Sequence, residues 1–109
     1  MELVRYNSCR VAVGSGAGSA DFEDTDADVS IGGGELLFCY WDDRGVVFFA
    51  GVEREPGRFE LVARSRPRRA TLRRRGPRRF EGSWEEGGDS GTLRVELPED
   101  ADVPPQGSA

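Results

Sequence analysis

From residue 35 onward the chain alternates short apolar runs with turn chemistry, the period-2 pattern of strands. "ELLFCYW" and "VVFFAGV" are aromatic and β-branched, and "DDRG" between them offers Gly45 where a hairpin needs a positive φ. "EPGR" places Pro56 and Gly57 at the centre of a second turn, after which "RFELVAR" alternates strictly. "RATLRR" and "RRFEGSWEE" then flank Gly76-Pro77, and "TLRVEL" closes the series. About six strands are predicted here, and no stretch shows a helical period.

Pairing tests this reading, because a correct register puts the apolar residues on one face. If Glu86 pairs with Gly91 across a four-residue loop, Trp84 faces Leu93, Gly82 faces Val95 and Phe80 faces Leu97. The other face then carries Glu81, Ser83 and Glu85 against Glu96, Arg94 and Thr92, with one unfavourable Glu-Glu pair. Extended backward through the turns, the parity assigns Leu37, Cys39, Trp41, Phe48, Ala50, Val52, Phe59, Leu61, Ala63, Ala70 and Leu72 to the core. Leu36, Phe38, Tyr40, Val47 and Phe49 fall on the opposite face, so this hairpin is apolar on both sides and needs a cover. Closure of the sheet, the N-terminal segment through Leu3, Tyr6, Val11 and Val13, a homodimer through Phe38, Tyr40 and Phe49, or a ligand held in a groove would each supply one.

"LVRYNSCRVAV" supplies one strand or two short ones, followed by the glycine-rich "GSGAGSA" and the acidic "DFEDTDADVS", read as loops. The expected fold is all-β: a small antiparallel meander of six to eight strands that closes as a barrel or packs as a sandwich. A single domain over residues 1–98 and a flexible acidic, Pro-rich tail over 99–109 complete the outline.

Composition narrows the chemistry. The 109 residues allow one modest core, and all 15 basic residues are Arg, with no Lys and no His. This removes the usual general base, the imidazole metal ligand and the Schiff-base amine. Cys9 and Cys39 are too few for a zinc site and are expected to be reduced thiols, with Cys39 buried. The chain shows no 18-residue apolar run and no signal-peptide pattern, so the expected location is the cytoplasm, without membrane attachment.

Three motifs invite chemistry and are set aside on physical grounds. "GDSG" surrounds the nucleophilic serine of trypsin-like proteases, yet Ser90 has no His or Lys to activate it and is read as part of a hairpin loop. "DTDADVSIGGGE", from Asp24 to Glu35, resembles an EF-hand loop over 12 residues but carries Val29 where the loop needs glycine and lacks flanking helices. "VAVGSGAGSA" has Ser19 in place of the third glycine of a dinucleotide fingerprint and no following helix. No catalytic residue, metal ligand or cofactor is assigned; a carboxylate enzyme based on Asp42, Asp43 or Glu85 has no motif behind it.

Charge leaves one feature unabsorbed. Residues 64–79 carry nine Arg and no acid, whereas the rest of the chain carries 20 acids against six Arg. Alternation sends Arg64, Arg66, Arg69 and Arg73, with Arg75 and Arg79 beyond them, toward one polar face. The expected function is therefore that of a non-catalytic binding protein meeting an acidic protein surface or a phosphate-bearing ligand. Nucleic acid is a poorer fit, because no aromatic is interleaved between Phe59 and Phe80. The alternative is a small-ligand carrier with a barrel pocket lined by Trp41, Phe48, Phe59 and Trp84.

Overall fold

The computed structural model describes residues 3–15, 22–42, 44–64 and 66–98. Eight antiparallel strands run in chain order: β1 (Val4–Ser15), β2 (Phe22–Gly32), β3 (Glu35–Asp42), β4 (Gly45–Glu55), β5 (Arg58–Ala63), β6 (Arg68–Arg74), β7 (Arg79–Glu86) and β8 (Asp89–Glu96). Each pairs with the next, and β1 also pairs with β8, so the meander closes as a barrel. Closure leaves no free edge and supplies the cover that the two-sided first hairpin demanded. No helix among the described residues is long and apolar enough to cross a membrane. The tail expected at 99–109 lies outside the described residues.

The N-terminal third departs from its expected loops. Residues 22–32 form β2, in which Ala27 and Val29 point inward and alternate with Asp26, Asp28 and Ser30. The period-2 signal was present in "DADVSI" but was masked by its acidity. The β1–β2 ladder is irregular twice: an extra residue of β1 around Ser8 (φ 57°) lets Tyr6, Cys9 and Val11 all turn inward despite their uneven spacing, and an extra residue of β2 lies between Asp24 and Ala27.

The core of the first hairpin is the reverse of the expected one. Leu36, Phe38, Tyr40, Val47 and Phe49 are buried inside the barrel, while Leu37, Cys39, Trp41, Phe48, Ala50 and Val52 stand on its outer face. The cause is a single residue. The turn at Pro56-Gly57 forms as expected and pairs Glu55 with Arg58, but the next pair is Glu53 with Phe59, which leaves Arg54 as a bulge. An uninterrupted ladder would set Val52 opposite Leu61; the bulge sets Gly51 there and flips every side chain of β4, and with it β3. A homodimer through Phe38, Tyr40 and Phe49 is thereby corrected, since all three are at most 1% exposed.

The last hairpin keeps its faces but slides by two residues. Its loop is the two-residue Gly87-Gly88 with positive φ at both positions (57° and 99°), so Glu86 pairs with Asp89 and Trp84 with Gly91, not Leu93. Ser90 lies in β8, exposed and opposite Glu85. Gly91 is required where it stands: a Cβ there would overlap the Gly14 carbonyl oxygen and crowd Trp84 Nε1, which donates to that same oxygen at 3.0 Å. Phe59, Leu61, Ala70, Leu72, Phe80, Trp84, Leu93, Val95 and Leu97 fill the interior as expected, with Phe59 edge-on to Phe80 at 5.8 Å between ring centroids.

Candidate functional site: arginines at the two ends of the barrel

The barrel order separates the charges in space. β2, with Glu23, Asp24, Asp26 and Asp28, lies four strands from β6 in either direction round the ring, on the far side from the arginine-rich strand. The acidic and basic segments of the chain therefore do not neutralise each other across the molecule.

The arginines divide by the end of the barrel they occupy. At the end formed by the β3–β4, β5–β6 and β7–β8 turns, Arg66 clamps Asp42 with two hydrogen bonds (2.5 and 2.8 Å), and this pairing is the main reason the Asp42 carboxyl is held down to about 2. Arg68, only 8% exposed, donates to Glu86 Oε1 (2.9 Å) and to the Tyr40 hydroxyl (3.0 Å), and its guanidinium lies 4.5 Å from the centre of the Trp84 ring. No buried side-chain nitrogen or oxygen among the described residues lacks a partner. These groups close one end of the barrel, and both guanidiniums are already bonded within the chain.

At the other end, around the β6–β7 connection, the arginines are loosely held. Glu81 pairs with Arg73 across the β6–β7 ladder and stands 3.9 Å from Arg75, 4.0 Å from Arg79 and 3.3 Å from Arg94. Glu96 is shared by Arg79 (3.9 Å) and Arg94 (4.0 Å), and Arg78 makes no ion pair with a described residue. Three guanidiniums thus share two carboxylates, with Arg73 opposite Glu81 in the ladder and Arg78 in the adjoining connection, so positive charge is in excess on an outer surface where Arg75, Arg79 and Arg94 are each more than half exposed. Contacts of this length and exposure contribute about 0.2–1 kcal/mol each, so their forks remain available to a better acceptor. Arg74 fixes the connection from beneath: it donates to the carbonyls of Gly76 (3.3 Å) and Pro77 (3.0 Å) and lies 5.4 Å from the Phe80 ring centre, where burial lowers its pKa.

The five arginines singled out from the sequence are therefore not one patch. Arg66 is bound to Asp42; Arg64 and Arg69 stand near the plugged end without an ion pair to a described residue; Arg73 and Arg75 belong to the loose cluster. Arg79, which alternation sends to the polar face, belongs to that cluster too, and Arg78 and Arg94, which the alternation leaves out, complete it. The signal for them was the Glu-Glu pair in the assumed register. With a two-residue turn, Glu81 falls opposite Arg94 and Arg79 opposite Glu96, and the mismatch disappears.

The other assigned groups do not assemble. Phe59 and Trp84 point into the barrel whereas Trp41 (65% exposed) and Phe48 lie outside, so the four do not line one pocket. Their interior places are occupied by Tyr40, Phe38, Phe49, Phe80, Leu36 and Leu72, all fully buried. Asp24 to Glu35 form β2 and a hairpin; the Asp24 carboxylate accepts the backbone N–H groups of Asp26 and Trp41, both at 2.8 Å. No group of three or more Cys, Asp or Glu positioned to hold a metal occurs among the described residues. Cys9 is the buried thiol, pushed up to about 11 chiefly by burial, and Cys39 is half-buried on the outer face, its pKa also raised by burial first; both are free. Asp43 lies outside the described residues.

No family model, no curated protein and no solved structure matches this chain.

Proposed function

We propose that this protein is a non-catalytic interaction module that receives an acidic segment of a partner protein on the arginine cluster at the β6–β8 end of its barrel. The observation that supports it is the unbalanced charge there: Arg75, Arg79 and Arg94 share Glu81 and Glu96 in contacts of 3.3–4.0 Å, with Arg73 opposite Glu81 in the ladder and Arg78 next to Arg79 in the chain. Chain net charge is −5, so attraction of an acidic partner depends on this local field, which acts over about 10 Å at 0.1 M salt. A run of carboxylates would replace loose intramolecular contacts by bidentate ones. The cluster carries no exposed aromatic, which favours carboxylates over stacked bases as the occupant.

Binding of fluorescently labelled poly-glutamate, read by anisotropy across a salt series, tests the reading. Replacing Arg75, Arg79 and Arg94 with Ser is expected to weaken binding by about 10-fold or more and to flatten its salt dependence. The pair Arg64→Ser and Arg69→Ser, remote from the cluster, is expected to leave it within about 2-fold. Equal losses in the two variants would refute the assignment.

A further inference from the structure

The bulge at Arg54 leaves an apolar strip on the outside of a barrel whose interior is already filled. On β4 it runs from Val46 through Phe48 and Ala50 to Val52; cross-strand neighbours widen it through Leu37, Cys39 and Trp41 on β3 and Val62 on β5. Trp41 and Val62 are 65% and 55% exposed, and Val46 and Val52 about 40%. A strip about 20 Å long and three strands wide covers roughly 300 Å², well beyond scattered apolar residues.

We infer that a second copy of this chain covers the strip, in a dimer whose two-fold axis runs parallel to β4. Charge at the margins selects this occupant and this axis. One margin is acidic at the Trp41 end: Asp24 and Asp26 border Trp41 in a shallow groove, and the Asp26 carboxylate has no cation partner among the described residues, whereas Asp28, beside Cys39, is paired with Arg5 (2.9 Å). The other margin is basic: Arg64, exposed in the bend just past β5, is tied beside β4 by its N–H to the Phe48 carbonyl oxygen (2.9 Å) and makes no ion pair with a described residue. An axis along β4 lays β3 of each copy against β5 of the other, so Val62 meets Leu37 and Cys39 while Arg64 extends toward Trp41 and Asp26. The guanidinium then gains an indole face and a carboxylate in one place, twice per dimer. An axis across the strands would oppose acid to acid. Glu60, also on β5, is held by Arg54 (3.8 Å) and Arg58 (3.6 Å) and brings no uncompensated charge to the seam.

Two convex barrel walls meet over little more than three strands, and two strips of roughly 300 Å² bury about 600 Å² together, below the range of stable interfaces, so the dimer is a weak one with a dissociation constant expected near ~100 μM. Sedimentation equilibrium over roughly 1–500 μM is expected to show a monomer–dimer transition in the wild type. Phe48→Arg, or Val62→Arg should the first not fold, is expected to abolish it. Arg64→Glu and Asp26→Arg are each expected to weaken association by about 10-fold, and the double variant to recover to within about 3-fold of wild type. A wild type monomeric throughout that range would assign the strip to a different protein and overturn the inference. A dimer insensitive to Phe48→Arg and Val62→Arg, or one in which the double reversal fails to recover, would overturn it as well. The arginine cluster at the other margin of β6 takes no part, so its acid binding and this self-association succeed or fail separately.

Discussion

Phe48 and Phe49 are consecutive, chemically identical and separated only by the parity that the Arg54 bulge imposes, which makes them a sharp probe of the fold. Phe49 is fully buried and its ring centroid stacks 5.1 Å from that of Phe38; Phe48 lies half-buried on the outer wall opposite Cys39. Truncating a buried Phe to Ala removes its transfer free energy and leaves a cavity, together about 3–5 kcal/mol. The same truncation on a half-covered outer face removes about 1 kcal/mol. For a chain of this size, unfolding entropies near 0.2 kcal/mol/K convert these to a drop of about 15–25 °C in Tm for Phe49→Ala and about 5 °C for Phe48→Ala. Urea denaturation followed by far-UV circular dichroism at low micromolar protein, where self-association contributes little, gives both free energies directly. Comparable losses, or a larger one at Phe48, would refute the register and with it the origin of the apolar strip.

Arg66 depresses the Asp42 carboxyl from 3.8 to about 2, so this group stabilises the folded chain above pH 4 and loses that contribution as pH falls from about 4 toward 2. After allowance for solvent screening the contribution is about 1–2 kcal/mol, and Asp42→Asn is expected to flatten the stability curve in that window; parallel curves for the two proteins would contradict the pairing. Gly91→Ala is expected to cost about 2–4 kcal/mol and to change the near-ultraviolet dichroism of Trp84, because the added methyl overlaps the Gly14 carbonyl oxygen that the indole bonds. Thiol titration at pH 8 is expected to modify Cys39 slowly in the folded protein and Cys9 only after unfolding, since Cys9 is fully buried and donates to the Tyr6 carbonyl oxygen at 3.4 Å.

The strand-and-turn grammar of residues 35–97 was legible because alternation and glycine placement are local properties. Faces were legible only as far as the ladder stayed regular. From Phe59 to Leu97 no bulge intervenes, and even a two-residue slip in the last hairpin preserves every inward side chain. One unpaired residue at Arg54 inverts β3 and β4, and nothing in "VEREPGR" marks which side of that turn will bulge. Local chemistry pointed the wrong way in β2, where Asp-rich composition suggested a loop although closure of the barrel required a strand between β1 and β3. The arginine cluster shows the same division: the basic segment is plain in the sequence, but Arg94 joins it only through the register, and Arg66 leaves it only through Asp42.

Titration of the isotope-labelled wild-type protein with poly-glutamate, followed by amide chemical shifts, tests the functional assignment most directly. Shifts are expected to concentrate at residues 73–81 and 92–96, on the β6–β8 end, and to weaken as salt is raised. Shifts centred on residues 36–50, or spread evenly over the barrel, would contradict an acid-binding arginine cluster.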